Sequence, residues 1–170
     1  MAVSLFSSFT RRLGIDLGTN QTRIWLQGKG LVLNEPTLIA VDEKSGKVVA
    51  VGQDAAEMEG RVESSITVFR PMERGKLANA ELARAMLRVW LQQILGFNYV
   101  LSPVVMVSVP ASSTPAARQA VTELIYDLGA REVYTIVQPL AAAIGAGVPV
   151  ADASGTLLCQ LGGGVVEAAL

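Results

Sequence analysis

The sequence predicts an α/β fold, and three patterns in its 170 residues predict it. Polar and apolar residues alternate in short runs between turn signals from residue 13 to residue 51, the signature of a strand meander. Further on, Leu82, Met86, Leu87, Trp90, Leu91 and Ile94 recur by threes and fours as on a helix, and VVMVSV at residues 104–109 reads as a buried central strand. Finally, a glycine-bearing hairpin occurs near each end: LGIDLGTNQTRIWL at residues 13–26 and LLCQLGGGVVEAAL at residues 157–170. Two such turns in one chain suggest a nucleotide held between two lobes.

Composition narrows the options. With 51% hydrophobic residues and a mean hydropathy of +0.41, the chain can bury a substantial core and is no disordered protein. Fourteen Lys and Arg against fifteen Asp and Glu give a net charge of -1, so no global field draws it to nucleic acid. Cys159 is the single cysteine and histidine is absent, which excludes an internal disulfide, a zinc cluster and the usual base; a reducing cytoplasm fits. No apolar run approaches the ~20 residues needed to span a bilayer.

In chain order, residues 1–12 place Leu5, Phe6 and Phe9 on one helical face beside Arg11 and Arg12. That pattern suits a short amphipathic membrane anchor, and equally a start that docks on its own domain. The first hairpin follows. Its Gly18 tolerates positive φ and lets a ligand approach the backbone, while Thr19, Asn20 and Gln21 offer donors to phosphate oxygens. Asp16, at the strand end, can hold a cation through water or simply cap the turn. A third strand is expected at residues 31–33, broken by Asn34, Glu35 and Pro36 before strands at 37–41 and 47–51. A short helix at 53–60 and a strand at 66–69 come next.

Asn79 caps a core helix that Gly96 ends, and an apolar loop, Phe97 to Leu101, precedes Pro103. After the central strand, Ser112, Ser113 or Thr114 caps a helix with Pro115 at its first position, ending at Gly129. A strand at 133–136 and a small-residue helix at 139–145 lead to the second hairpin, whose Gly162, Gly163 and Gly164 repeat the phosphate chemistry of the first.

The segments GIDLGTNQT, GKGLVLNEPTLIAVD, AVGQDAAEMEGR, FRPMERGKLAN, VMVSVPASST, GAREVYTIVQPLAAAIGAG and LGGGVVE, in this order and spacing, resemble the bacterial actin-like cell-shape family MreB. The resemblance implies an actin-like ATPase domain of ribonuclease-H-like fold. Residues 13–150 would form lobe I, with an outer subdomain at about 34–76, and residues 151–170 the first hairpin of lobe II. It further implies ATP or ADP with Mg2+, the phosphates lying at Gly18, Thr19, Asn20 and Gln21 and at Gly162, Gly163 and Gly164. A membrane-insertion loop would fall at Val100 and Leu101, side chains that can alternatively fold into the core. Partners would be further copies or full-length MreB-like subunits and inner-membrane lipid, at the inner face of the cytoplasmic membrane.

Departures from the family pattern point away from hydrolysis. Ala117 stands where the family places a hydrolytic glutamate, Val137 and Gln138 replace paired acids, and Gln160 replaces the acid opening the second phosphate turn. Each change removes negative charge from a site for magnesium, water or nucleotide. Asn20 and Gln21 stand for Ala and Asn, which keeps polar donors. The adenosine-binding motif of the second lobe is absent from these residues, so nucleotide binding is expected to be weak. Three functions compete: a cytoskeletal subunit, a pseudo-ATPase that caps filaments of a full-length relative, and an active chaperone-type ATPase, which Ala117 disfavours.

Overall fold

The computed structural model describes residues 11–61, 65–96, 102–151 and 155–170. Its centre is a five-stranded sheet. The first hairpin supplies β1 (Arg12–Leu17) and β2 (Gln21–Leu26), with β3 (Gly30–Pro36) following at the edge. Two further strands, β9 (Val104–Val109) and β10 (Glu132–Val137), lie parallel to β1, giving the order β10, β9, β1, β2, β3. Between β3 and β9 the chain builds a smaller sheet from β4 (Ile39–Asp42), β5 (Lys47–Val51) and β6 (Ile66–Phe69), with helix α1 (Gln53–Met58) on it. Leu38, Ala40 and Ala55 form the buried centre of that unit.

Alternation on β1 and β2 decides which face of the main sheet is wet. Leu13, Ile15, Leu17, Ile24 and Leu26 point to one side with Val105, Val107 and Val109, all almost fully buried. Helices α2 (Ala80–Leu95) and α3 (Pro115–Asp127) complete this core with Met86, Leu87, Trp90, Leu124 and Ile125. The caps are those expected from the sequence: Asn79 Oδ1 accepts from Leu82 N at 3.0 Å, and Thr114 Oγ1 accepts from Ala117 N at 3.2 Å with Pro115 opening α3. Gly96 ends α2 at φ 87°, a left-handed value that only glycine adopts cheaply.

The opposite face carries a different row. Tyr134, Met106, Gly14, Trp25 and Leu31 are register partners from β10 across to β3, and the four with large side chains are exposed. At the β10 end, Tyr134 donates its hydroxyl to Glu132 Oε2 at 2.7 Å, which holds the carboxylate below and the phenol above its ordinary range.

Two local features differ from the sequence expectation. The third strand runs on through Asn34, Glu35 and Pro36, pairing with Arg23, Thr22 and Gln21, where a break was expected. Proline is tolerated there because β3 is an edge strand and ends on it. The chain also makes an unforeseen hairpin of two-residue strands, β7 (Met72–Glu73) and β8 (Lys76–Leu77), turning on Arg74 at φ 48° and Gly75 at φ 71°. Two central residues with positive φ make this a type I′ turn. The expected membrane residues Leu5, Phe6 and Phe9, and Val100 and Leu101 of the apolar loop, lie outside the described residues. Among the described residues no helix is long and apolar enough to cross a membrane.

Candidate functional site

Both glycine hairpins close in the same way. Gly18 N donates to Gln21 O at 3.1 Å and Gly162 N donates to Val165 O at 2.9 Å. A Cβ on Gly18 would meet Gln21 O at 2.6 Å, and one on Gly162 would meet Val165 O at 2.7 Å. Each turn therefore needs glycine at its first position because the closing carbonyl occupies the side-chain space. Positive φ is not the reason, contrary to the sequence expectation: none of Gly18, Gly162, Gly163 and Gly164 adopts it.

Short helix α4 (Gln138–Gly145) leads from β10 toward the ribbon of β11 (Leu158–Leu161) and β12 (Val166–Ala169), and it touches both ribbon strands. The ribbon's tip meets the tip of the first hairpin. Asn20 fills the space where Gly163 would carry a Cβ, and Thr19 does the same at Gly164. Thr19 Oγ1 also accepts from Gly75 N at 2.9 Å, so the β7–β8 turn joins the seam. Behind the contact lies a polar cavity of about 160 Å³, lined by Gly18, Thr19, Asn20, Gln21, Gly162, Gly163 and Gly164 together with Asp16, Arg23, Gly75, Gln138, Gln160, Leu161 and Val165. Pockets enclosing a whole small ligand are typically ~300 to 1,000 Å³, so this cavity is of a size for phosphate groups rather than an entire nucleotide.

The first turn is fixed from below by residues the sequence reading did not single out. Thr37 N donates to Asn20 O at 2.9 Å, and Thr37 Oγ1 donates to Gly18 O at 2.8 Å. A hydroxyl has one proton, so the 2.9 Å contact between Thr37 and Thr22 is donated by Thr22. Both threonines are fully buried. The Thr37 N–H and hydroxyl thus hold two carbonyls of the turn inward, with the Thr22 hydroxyl donating to Thr37 behind them. The only sequence signal was a threonine after Pro36, which alone indicates nothing more than a strand start.

The second turn is braced differently. Glu167 Oε1 accepts from Ala111 N at 2.8 Å, and Arg118 donates to Ala111 O at 3.4 Å, so one residue after β9 is gripped from the ribbon and from α3. Gln160 is the register partner of Glu167, and a buried oxygen on each, Gln160 Oε1 and Glu167 Oε2, has no hydrogen-bond partner among the described residues. Ala117 is half-buried in the first turn of α3, where its N–H serves the Thr114 cap and its methyl group offers nothing to a water molecule.

The acids a divalent cation needs are scarce. Among the described residues Asp16 is the one carboxylate lining the cavity; its Oδ1 accepts from Ser108 Oγ at 2.7 Å and its Oδ2 faces Arg23 at 3.4 Å. Among the described residues no group of three or more His, Cys, Asp or Glu side chains converges. Mg2+ is usually held through one or two carboxylates, waters and substrate phosphates. A single carboxylate already facing a guanidinium is a poor match for that ion.

These features have counterparts elsewhere. The profile of the MreB/Mbl protein family matches residues 10–170. Over 167 residues the chain is 43% identical to the cell shape-determining protein MreB of Pasteurella multocida (strain Pm70) and 41% identical to that of Escherichia coli (strain K12), covering 95% of this chain and 48% of each relative. It is also 37% identical over 162 residues to the cell shape-determining protein Mbl of Bacillus subtilis (strain 168), covering 49% of it. The chain thus spans about half the length of the curated relatives it matches. The crystal structure of MreB5 of Spiroplasma citri bound to AMPPNP superposes with a TM-score of 0.87 at 28% identity, over 95% of this chain and 48% of that one. The MamK double helical filament, 18% identical with a TM-score of 0.77, shares the fold. A main sheet flanked by a small one, two glycine turns tip to tip and a profile match over nearly the whole sequence agree: the fold is actin-like and the chain belongs to the MreB/Mbl family.

Proposed function

We propose that this protein is a cell-shape cytoskeletal subunit that joins filaments at the inner face of the cytoplasmic membrane and holds the phosphates of ATP or ADP weakly between its two glycine turns. The observation that carries this reading is the tip-to-tip meeting of residues 18–21 and 162–164 over a polar cavity. Phosphate affinity is modest because the cavity accommodates phosphate groups and no base. Hydrolysis stays near background. Positioned acid or base help is worth roughly 10²- to 10⁴-fold, and Ala117, Gln138 and Gln160 present no acid to supply it. Residues 13–150 act as lobe I, with the small sheet as its outer part, and residues 1–12 with the loop at Val100 and Leu101 attach reversibly to anionic lipid.

Co-sedimentation with full-length Escherichia coli MreB and ATP tests the reading, with anionic liposomes included in a parallel flotation. A filament subunit raises the pelleted mass and floats with the liposomes. Floating is reduced when residues 1–10 are removed or Val100 and Leu101 are both changed to Ser. The shortage of acids at the site favours one second reading, a pseudo-ATPase that caps filaments, and in that case the pelleted mass falls. Unchanged pelleting and no flotation would sink both.

A further inference from the structure

Among the described residues that line the cavity between the turns, one is a cation. Arg23 lies on β2 directly opposite Asp16 of β1, on the open face of the sheet and one residue beyond the buried Thr22 that braces the turn. Its contact with Asp16 is loose: 3.4 Å, with the arginine side chain about half exposed. A long contact between exposed groups contributes little and is readily exchanged for a better partner. Phosphate is such a partner, because a guanidinium presents a planar fork of donors that matches two phosphate oxygens at once. The other groups that could meet phosphate here, including Thr19, Asn20, Gln138 and Gln160, are neutral.

Magnesium and Arg23 compete for the same place. A divalent ion bound through water to Asp16 would lie beside the guanidinium charge, with no second carboxylate among the described lining residues to offset the repulsion. We infer that this chain binds the polyphosphate of a nucleotide without a divalent cation, Arg23 supplying the counter-charge and Asp16, held by Ser108, acting as the partner that the guanidinium leaves when phosphate arrives. The inference rests on the phosphate-binding reading of the paired turns.

The test is nuclear magnetic resonance titration of the whole chain, following the amide signals of residues 18–21 and 162–164. Probes are ATP and inorganic tripolyphosphate, each in excess EDTA and in excess Mg2+. The expected result is tighter binding in EDTA than in Mg2+, where the polyphosphate is chelated by the ion. Arg23→Gln should weaken it about ten- to hundred-fold, the range for a lost charge-assisted contact, with Arg23→Lys intermediate. Asp16→Asn separates the two schemes: it frees Arg23 and leaves EDTA binding equal or tighter, whereas loss of a metal ligand would weaken binding in Mg2+. Mn2+ added with ATP should leave the Asp16 and Ser108 signals sharp. Binding that requires Mg2+, Mn2+ broadening at Asp16, or an indifferent Arg23→Gln overturns the inference while leaving the turns as a phosphate site. Absence of any shift with either probe in either condition overturns the phosphate site and the inference together. Circular dichroism melting of each variant confirms that the outward-facing substitutions leave the fold intact.

Discussion

Thr37 touches no solvent, yet it sets the shape of the surface above it. Its N–H and hydroxyl hold two carbonyls of the first turn, and Thr22 completes the chain of donors. Replacing Thr37 by Val keeps the volume and removes the hydroxyl, leaving the Thr22 hydroxyl and the Gly18 carbonyl with one partner fewer. A buried group so deprived costs about 1 to 3 kcal/mol, so Thr37→Val should lower urea stability by that amount. Thr37→Ser, which loses only a methyl group, should cost ~1 kcal/mol or less. A larger loss in Thr37→Ser than in Thr37→Val would show that the methyl contact, not the hydroxyl, matters. At this scale the sequence was only half legible. The two turns were readable because glycine between alternating runs announces a hairpin, but what glycine was needed for was not. Its reason is a neighbouring carbonyl or side chain in the place of a Cβ, and that neighbour at Gly163 and Gly164 is over 140 positions away in the chain.

Elements were easier to read, because periodicity over many residues averages out local ambiguity. The helix expected from Leu82, Met86, Trp90 and Leu91 is α2, and its cap at Asn79 is where the sequence placed it. Leu87, fully buried in the main core, should cost about 2 to 5 kcal/mol as Leu87→Ala in urea unfolding. Arg84→Ala removes the 2.6 Å pair with Asp127 that ties α2 to α3; both side chains are a third or more exposed, so the loss should stay within ~1 kcal/mol. A result in the opposite order would mean that charge, not packing, holds the two helices together. The elements that escaped notice were short or broke a rule. Strands β7 and β8 have two residues each, too few to show alternation, and Pro36 reads as a breaker unless it is known to lie on an edge. Arg74 at φ 48° shows the same limit: nothing in its type foretells a left-handed position normally given to Asn, Asp or Gly.

For the whole molecule, the organisation follows from two faces of one sheet. The face with Leu13, Ile15 and Val107 is sealed by α2 and α3, while the row of Tyr134, Met106, Trp25 and Leu31 is left to solvent. The family match and the fold were legible from motif order. The charge balance inside the cavity was not, since Asp16 and Arg23 are seven residues apart in sequence and only the hairpin register makes them partners. Size, too, is set by this assembly. Because Asn20 and Thr19 rest directly on Gly163 and Gly164, the spacing between the main sheet and the ribbon is gauged by atoms rather than by loops. A single added methyl acts there as a shim. Gly163→Ala should prise the aperture wider at a cost of about 1 to 3 kcal/mol for overpacking, and Asn20→Gly in the same chain should recover most of it, a coupling that a double-mutant cycle reads directly. The width of the gap between the two turns is therefore adjustable in steps of one carbon atom, with the side chain at position 20 and the missing one at 163 as the two jaws of the gauge.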